Sequence, residues 1–299
     1  MRFFDLHCDT LGKCLRHKRG FSDNGFHVDL NKAKYIDTYI QCTAAFIPDR
    51  LGANESKQYC ENMLALLENE NVIKNLQDLK KAEKAQFFLP TIENCSALAG
   101  DISNIEMLKK NFVKIATLTW NGDNELGSGV GGTDLGLSDF GKDVLEKFCE
   151  NKIVPDISHA SEKLFWEVCD YTEQKIVATH SCAKKICSHK RNLSDEQIKE
   201  IIKRKGLVGI NFYKNFLNNN PENACIDDIV EHCEYMLAMG AEDVLAIGSD
   251  FDGCDLPRDV LGIESVGEIY ERFLKLKYNE TLLDKIFFKN AYDFITVLY

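Results

Sequence analysis

Several polar side chains stand at the ends of apolar segments, and their types are those that bind metal ions. The first segment, FFDLHCDT, carries His7 and Asp9 two positions apart, and later segments end in Glu93, His159 and His180. Imidazole nitrogens and carboxylate oxygens, without sulfur, suit zinc, with manganese and iron as rivals. The chain has only 7 histidines, and three of them occupy such ends. A shared metal site is therefore favoured over three separate core histidines.

The cysteine between His7 and Asp9 is not expected to be a ligand. Residues two apart in a strand point to the same face, so His7 and Asp9 share one face of the predicted strand. Cys8 lies on the other face and is expected to pack among apolar side chains.

The ligand candidates are too many for a single metal ion. Five ligands exceed what one tetrahedral zinc uses when it keeps an open position. They suit two divalent cations, which repel each other and are best joined by a bridging carboxylate. Glu93, at the end of the third segment, is the expected bridge. The sequence therefore predicts two divalent metal ions, with zinc expected, that activate water for attack as hydroxide.

The stretch GSDFDG supplies a carboxylate for proton transfer. Asp250 is placed at the end of the last apolar segment, where a free carboxylate beside the metal ions can carry protons during hydrolysis. Asp252 is expected instead to cap or brace the loop that follows.

Apolar segments alternate with amphipathic helical stretches along the chain. Many of the segments are continuous rather than alternating, as parallel strands covered on both faces are. They cover residues 3–9, 39–47, 85–93, 114–120, 152–158, 175–181, 207–213 and 243–250, and helices are predicted over residues 138–151, 194–205, 227–240 and 282–298. Eight repeats predict one (β/α)8 TIM barrel over residues 1–299, with a doubly wound open sheet as the alternative.

In such a barrel the active site lies at the carboxyl ends of the strands, which is where the candidate ligands stand. The glycine-rich stretch ELGSGVGGTDLG, at residues 125–136, is expected to be a loop after the fourth strand. It lacks the pattern G-x-x-x-x-G-K-S/T and does not pass directly from strand to helix, so a phosphate-binding role is disfavoured.

Composition excludes several classes of function. The net charge of −11 disfavours a nucleic-acid or anionic-membrane partner. The 12 cysteines form no C-x-x-C pair, so neither a zinc ribbon nor a thioredoxin-type site is indicated. The beginning of the sequence is not expected to be a signal peptide, and no apolar stretch reaches about 20 residues. The chain is therefore expected to be cytoplasmic, with reduced thiols.

The ordered set of motifs resembles the membrane (renal) dipeptidase family, which are zinc-dependent peptidases with amidohydrolase-like barrels. The motifs are D-x-H-x-D at residues 5–9, Glu93, DISHAS at 156–161, THS at 179–181 followed by RN, and GSDFDG at 248–253. The similarity extends from about residue 3 to residue 294. The H-x-D form of the first motif distinguishes this family from most amidohydrolases, which carry H-x-H. The membrane anchor and secretion of mammalian members do not carry over, so a bacterial-type soluble member is expected.

The resemblance implies a role for each candidate. His7 and Asp9 would bind one metal ion, His159 and His180 the second, and Glu93 would bridge them. Asp250 matches the residue that transfers protons, and Arg191 matches an arginine that holds the substrate carboxylate.

Three further positions concern the substrate pocket. Tyr213 matches a pocket position in the family. Mammalian members carry a histidine after the fourth strand that is thought to polarise the scissile carbonyl, but this chain has Trp120 there, followed by Asn121, which is expected to contact substrate. Side-chain preference is therefore expected to differ.

The expected activity is hydrolysis of dipeptides, and a D-residue at the second position is an open question. The alternative is another amidohydrolase reaction, such as deacylation of N-acyl amino acids or opening of lactones, which the same metal centre would serve. A binding or scaffold barrel is disfavoured because all five ligands are present. The only partner expected is the small dipeptide substrate, and the oligomeric state is open, although related barrels often pair as homodimers.

Overall fold

A closed barrel of parallel strands forms the centre of the computed structural model, which describes residues 1–83 and 85–299. In these residues eight strands pair in chain order, and β8 returns to β1 through Asp5 and Ile247. The strands β1 to β8 are Arg2–Asp5, Thr38–Phe46, Gln86–Glu93, Ile115–Thr117, Val154–Asp156, Val177–Ala178, Leu207–Ile210 and Leu245–Ile247. The predicted TIM barrel is confirmed, and the open sheet is wrong because β8 closes on β1.

Helices occupy the connections between the strands. In the described residues, α1 to α12 are Thr10–His17, Ala53–Ala65, Leu76–Ala82, Ile105–Lys110, Asp139–Asn151, Glu162–Tyr171, Asp195–Lys203, Lys214–Leu217, Ile226–Ala238, Val266–Lys275, Glu280–Asp284 and Asn290–Thr296. Short 3₁₀ turns are Lys32–Tyr35, Cys95–Leu98, Ile102–Asn104, Pro221–Asn223 and Ile263–Ser265, and a π-helical turn, Lys285–Lys289, joins α11 to α12.

The helices predicted over residues 138–151, 194–205 and 227–240 are found as α5, α7 and α9, with small differences at their ends. The helix predicted over residues 282–298 is interrupted, because the π-helical turn separates α11 from α12. Ser138 and Ser194 are the N-caps of α5 and α7, and each hydroxyl accepts a hydrogen bond from a backbone N–H of the first turn. After α7 the residue in the left-handed conformation is Lys205, with φ 53°, rather than Gly206. A Cβ at Gly206 would lie 2.0 Å from the Ile176 carbonyl oxygen, so glycine is needed there for close packing.

Two layers of apolar side chains flank the barrel wall. The inner layer takes residues from every strand and is closed at one end by the C-terminal helix: Phe4, Leu6, Ile40, Cys42, Leu89, Ile115, Val154, Val177, Leu207, Ala246, Phe288, Phe294 and Ile295. The outer layer packs the opposite strand faces against the helices. The floor of the barrel is therefore apolar, and its polar residues are concentrated at the other end.

The strands end earlier than their apolar segments suggested. β1 ends at Asp5, β5 at Asp156 and β7 at Ile210, although strands were predicted to residues 9, 158 and 213. Beyond those ends the backbones diverge toward their helices. Most candidate site residues consequently lie in the connecting loops, whereas Glu93 is the last residue of β3.

No helix within residues 1–83 and 85–299 is both long enough and apolar enough to cross a bilayer. The cysteines in the described residues are free thiols. Nine of them are buried and pack as small core residues.

Candidate active site

Glu93 is the last residue of β3, and the two predicted ligand pairs lie on either side of its carboxylate. Its Oε1 is 2.9 Å from His159 Nε2 and 3.7 Å from His180 Nε2. Its Oε2 is 3.5 Å from His7 Nε2, which is itself 3.5 Å from Asp9 Oδ2. All five predicted ligands therefore converge, and each oxygen of Glu93 faces one pair.

The donor atoms of this cluster fit divalent cations. His7 Nε2 and Asp9 Oδ1 are buried and lack a hydrogen-bond partner among the described residues. Burial and the neighbouring charge of Asp9 raise the pKa of Glu93 to about 8. Carboxylates crowded in this way, beside unpartnered nitrogen and oxygen atoms, are stabilised by a bound cation.

The alternation of side chains near His7 differs from the simple prediction. Phe4 and Leu6 both belong to the inner layer, whereas Cys8 lies in the outer layer, near the hydroxyls of Thr10 and Thr43. The expected orientation of Cys8 is correct, but strict alternation from Phe4 would have placed Cys8 inside. The alternation shifts by one residue after β1 ends, which turns His7 toward Glu93.

A buried carboxylate, Asp156, fixes the orientation of His180. Within the described part of the chain its oxygens accept hydrogen bonds from three hydroxyls, those of Thr117 (2.6 Å), Thr179 (2.5 Å) and Ser158. They also accept from the backbone N–H groups of Ser158 and Thr179. Because the Thr179 hydroxyl donates to Asp156, it accepts from His180 Nδ1 at 2.9 Å. His180 is therefore protonated on Nδ1, and the Nε2 lone pair faces the cluster.

His159 is oriented in the same way by Asn121. The Oδ1 atom of Asn121 can only accept a hydrogen bond, so the His159 Nδ1–H group donates to it at 3.0 Å. The proton of the neutral His159 ring is therefore on Nδ1, and Nε2 carries a lone pair. Burial lowers the pKa of both His159 and His180 well below the usual value, which keeps these imidazoles neutral. Asn121 was expected to contact substrate, but its oxygen is already engaged by His159.

Asp250 faces the cluster from the loop after β8. Its Oδ1 is 4.0 Å from His7 Nε2, and its Oδ2 accepts from Asn211 Nδ2 at 3.0 Å. Burial raises its pKa to about 7, so the carboxyl exchanges protons near neutrality. A Cβ at Gly253 would lie 2.0 Å from Asp9 Oδ2 and 2.3 Å from Asp250 Oδ1. Glycine at this position therefore leaves room for the carboxylates of Asp9 and Asp250.

Asp252 holds the loop after β8 against two other segments. Its oxygens accept from the Thr10 hydroxyl (2.6 Å), the Lys13 ammonium (3.0 Å) and the backbone N–H groups of His27 and Val28. It therefore ties the loop to which it belongs to α1 and to the chain that follows α1.

Arg191 is buried without a counter-ion at hydrogen-bond distance. It is only 5% exposed, yet in residues 1–83 and 85–299 none of its three side-chain nitrogens has a hydrogen-bond partner. Its guanidinium carbon lies 5.3 Å from the ring centre of Phe216. Asn192 fixes its loop by donating to the carbonyls of Cys187 and Phe216. This arrangement presents unused donors to an anion.

Three of the candidate ligands, Asp9, Glu93 and His159, line one cavity of about 770 Å³ together with Arg191. Trp120 and Tyr213 also line it; Trp120 packs edge-on against Phe46, and the Tyr213 hydroxyl accepts from Asn215 Nδ2 at 2.8 Å. The cavity is large enough for a dipeptide, with carboxylates and imidazoles at one part of its wall and a guanidinium at another.

The sequence reasoning missed the residues that hold the cluster in place. Asp156, Thr179 and Asn211 are polar residues inside or just after apolar segments, which is the same signal that marked the ligands. Asp156 stands in DISH and Thr179 in ATHS, where the histidine that follows each of them is the predicted ligand instead. Recognising them would have required knowing that β5, β6 and β7 end two or three residues before their apolar segments do.

Comparison with known proteins agrees with this geometry. The family model described as "Membrane dipeptidase (Peptidase family M19)" matches residues 1–295. An uncharacterized protein of Klebsiella pneumoniae is 30% identical over 220 residues, which cover 70% of this chain and 81% of that protein. An uncharacterized dipeptidase of Schizosaccharomyces pombe is 32% identical over 190 residues, which cover 62% of this chain but only 46% of that protein.

Solved structures show the same fold. A metallo peptidase from Rhodobacter sphaeroides, bound to a phosphinate mimic of L-Ala-D-Ala, superposes with a TM-score of 0.93 at 20% identity, covering 100% of this chain and 99% of that chain. A dipeptidase of family M19 gives a TM-score of 0.91 at 21% identity, covering 98% and 97%. With the family match over nearly its whole length, the chain belongs to the membrane dipeptidase family, peptidase family M19, a family of metallopeptidases.

Proposed function

We propose that this protein hydrolyses dipeptides with two divalent cations, expected to be zinc, held by His7, Asp9, Glu93, His159 and His180. Support comes from the convergence of these side chains on Glu93 and from the unpartnered His7 Nε2. Bound in this way, divalent cations lower the pKa of water and polarise a carbonyl oxygen.

The buried guanidinium of Arg191 is the observation that most narrows the substrate. A buried cation without a partner costs free energy, and a carboxylate that forms two parallel hydrogen bonds with it offsets that cost. Because Arg191 shares a cavity with the metal cluster, the carboxylate it binds belongs to a short substrate. The free C-terminus of a dipeptide meets this requirement.

Proton transfer is assigned to Asp250. As the water oxygen forms a bond to the carbonyl carbon, the carboxylate of Asp250 accepts the water proton. It then donates that proton to the amide nitrogen as the carbon–nitrogen bond breaks, so the products are a carboxylic acid and an amine. A pKa of about 7 suits both halves of this exchange.

The amino end of the substrate is expected to approach the acidic part of the cavity, near Asp9 and Asp255. Contacts at both ends would favour dipeptides over longer chains. The Rhodobacter sphaeroides structure with an L-Ala-D-Ala mimic makes L,D-dipeptides natural test substrates for this chain as well.

The test is a substrate panel with elemental analysis of the purified protein. We expect about two equivalents of zinc per chain and turnover of L,L- or L,D-dipeptides, and weaker turnover when the C-terminal carboxylate is amidated. Preferential turnover of N-acyl amino acids or lactones would instead support the alternative reaction. Less than about one metal ion per chain, without hydrolysis of any dipeptide, would refute the proposal.

A further inference from the structure

The cavity wall beside Arg191 carries a second cation that the proposed function does not use. Lys190 is exposed and lines the cavity, and in the described part of the chain it has no carboxylate oxygen within 4.0 Å. Lys13 lines the same cavity but differs, because its ammonium pairs with Asp252 at 3.0 Å. Two consecutive residues, Lys190 and Arg191, therefore present positive charge without a counter-ion.

The glycine-rich loop determines where the Lys190 ammonium lies. A Cβ at Gly131 would be 3.3 Å from Lys190 Nζ and 3.1 Å from the Asn121 carbonyl oxygen. The ammonium therefore lies against this loop, close to the segment whose Asn121 side chain holds His159. Because Lys190 and Arg191 are consecutive and both line the cavity, we expect a substrate residue whose carboxylate is held by Arg191 to place its side chain near that ammonium.

The residue before Lys190 also offers a donor. His189 lines the cavity, and its Nδ1 accepts from the Arg191 backbone N–H at 3.2 Å. Burial lowers the pKa of His189, so the ring is neutral with its proton on Nε2. The run His189–Arg191 therefore lines the cavity with hydrogen-bond donors, which match anionic groups.

Four of the five carboxylates in the cavity lining are engaged elsewhere, and the fifth, Asp255, belongs to the acidic part of the wall that is proposed for the substrate amine. Asp9 and Glu93 belong to the proposed metal cluster, Asp250 accepts from Asn211, and Asp252 pairs with Lys13. A dipeptide with neutral side chains brings one carboxylate to this wall, whereas a dipeptide that ends in aspartate or glutamate brings two.

We propose that the cavity selects dipeptides whose C-terminal residue is acidic, with Lys190 binding the side-chain carboxylate while Arg191 binds the α-carboxylate. This inference rests on the proposed function and names the substrate class within it. An ion pair at a partly exposed wall is modest, so selectivity of about five- to tenfold is expected.

The test compares matched substrates that differ only in side-chain charge. The quantity measured is the ratio of kcat/KM for Ala-Glu over Ala-Gln, with the second residue in the L and the D form. We expect a ratio of about five to ten in the wild type, which decreases with added salt. Lys190→Met should bring it near one, and Lys190→Glu should invert it. Lys185→Met is the matched control, because Lys185 is an exposed lysine of the same loop outside the cavity lining and should leave the ratio unchanged.

A second readout avoids turnover. Calorimetric titration of chelator-treated protein should show tighter binding of Ala-Glu than of Ala-Gln, and Lys190→Met should remove the difference. If Ala-Gln is hydrolysed at least as well as Ala-Glu, the selectivity is wrong while the dipeptidase function stands. Arg16 is another exposed cation of the cavity lining. If Arg16→Met removes the preference and Lys190→Met does not, the assignment to Lys190 is wrong. If neither dipeptide binds or is hydrolysed in any form, the proposed function fails together with this inference.

Discussion

Replacing Arg191 with methionine should make the protein more stable and less active. The guanidinium is 5% exposed, and burial lowers its pKa from 12.5 to about 10. That shift corresponds to an unfavourable burial free energy of about 3 kcal/mol for the charged form. Methionine has a similar length and keeps the apolar contact with the Phe216 ring, although the cation–π attraction of about 1 kcal/mol is lost.

The net expectation is that Arg191→Met raises the free energy of unfolding by about 1–3 kcal/mol. For a chain of this size that is an increase in Tm of about 2–6 °C. The same variant should lower kcat/KM for dipeptides by about 10²–10³, because two charge-assisted hydrogen bonds to the substrate carboxylate are lost.

Arg204→Met is the matched control for the same chemical change. The guanidinium of Arg204 is buried to a similar degree, but it donates to Glu200 (2.7 Å) and to the carbonyls of Thr172 (2.5 Å) and Cys169 (2.6 Å). Its removal leaves those acceptors without a donor, so we expect a loss of about 2–4 kcal/mol of stability. Its distance from the cavity lining predicts little change in kcat/KM.

Urea denaturation and differential scanning fluorimetry, on chelator-treated and zinc-loaded protein, measure the stability difference. Steady-state hydrolysis of one dipeptide measures the activity. If Arg191→Met destabilises the fold as much as Arg204→Met does, the Arg191 guanidinium has partners in the folded protein and the reasoning is wrong. Unchanged kcat/KM in Arg191→Met would remove its assignment to the substrate carboxylate.

Three further outcomes are expected. Asp250→Asn should abolish turnover while elemental analysis still finds about two metal ions per chain; an active variant would contradict its role in proton transfer. Gly253→Ala should lower activity and metal content together, because its Cβ would meet Asp9 and Asp250 within 2.3 Å; a fully active, metal-replete variant would show that the loop can adapt. Burial lowers the pKa of His232 from 6.5 to about 4. Between these two pH values the unfolded chain takes up a proton that the folded chain does not. The free energy of unfolding therefore falls as the pH decreases from 6.5 to 4, by up to about 3 kcal/mol. Urea denaturation of the wild type and His232→Gln between pH 7 and pH 4 should show a smaller pH dependence in the variant, and equal slopes would contradict this.

The fold was predictable because each strand leaves a strong local signal. Continuous apolar segments recur between amphipathic helices, and helix starts such as Ser138 and Ser194 carry their capping residues with them. The strand ends were less predictable. They depend on where neighbouring backbones diverge, as at Asp5 and Asp156, and apolar character continues past that point.

The convergence of the candidate ligands followed from the barrel, which brings every strand end to one mouth. The supporting contacts did not follow from the sequence, because they join residues far apart in the chain. Asn121 lies 38 residues before His159, and Asn211 lies 39 residues before Asp250. These distant pairings decide which polar group faces a candidate ligand and which faces the substrate.

The hydrogen bonds to Asp156 have a consequence for local motion in the barrel wall. The pairing of β5 with β6 rests on a single register pair, Asp156 with Val177, yet the backbone amides of Ser158 and Thr179 both donate to the Asp156 carboxylate. Opening this sector would separate a buried carboxylate from its donors, at a free energy close to that of unfolding the whole barrel. The amide protons of Ser158 and Thr179 should therefore exchange with deuterium as slowly as those of the longest strands, although they lie just beyond the ends of two short strands.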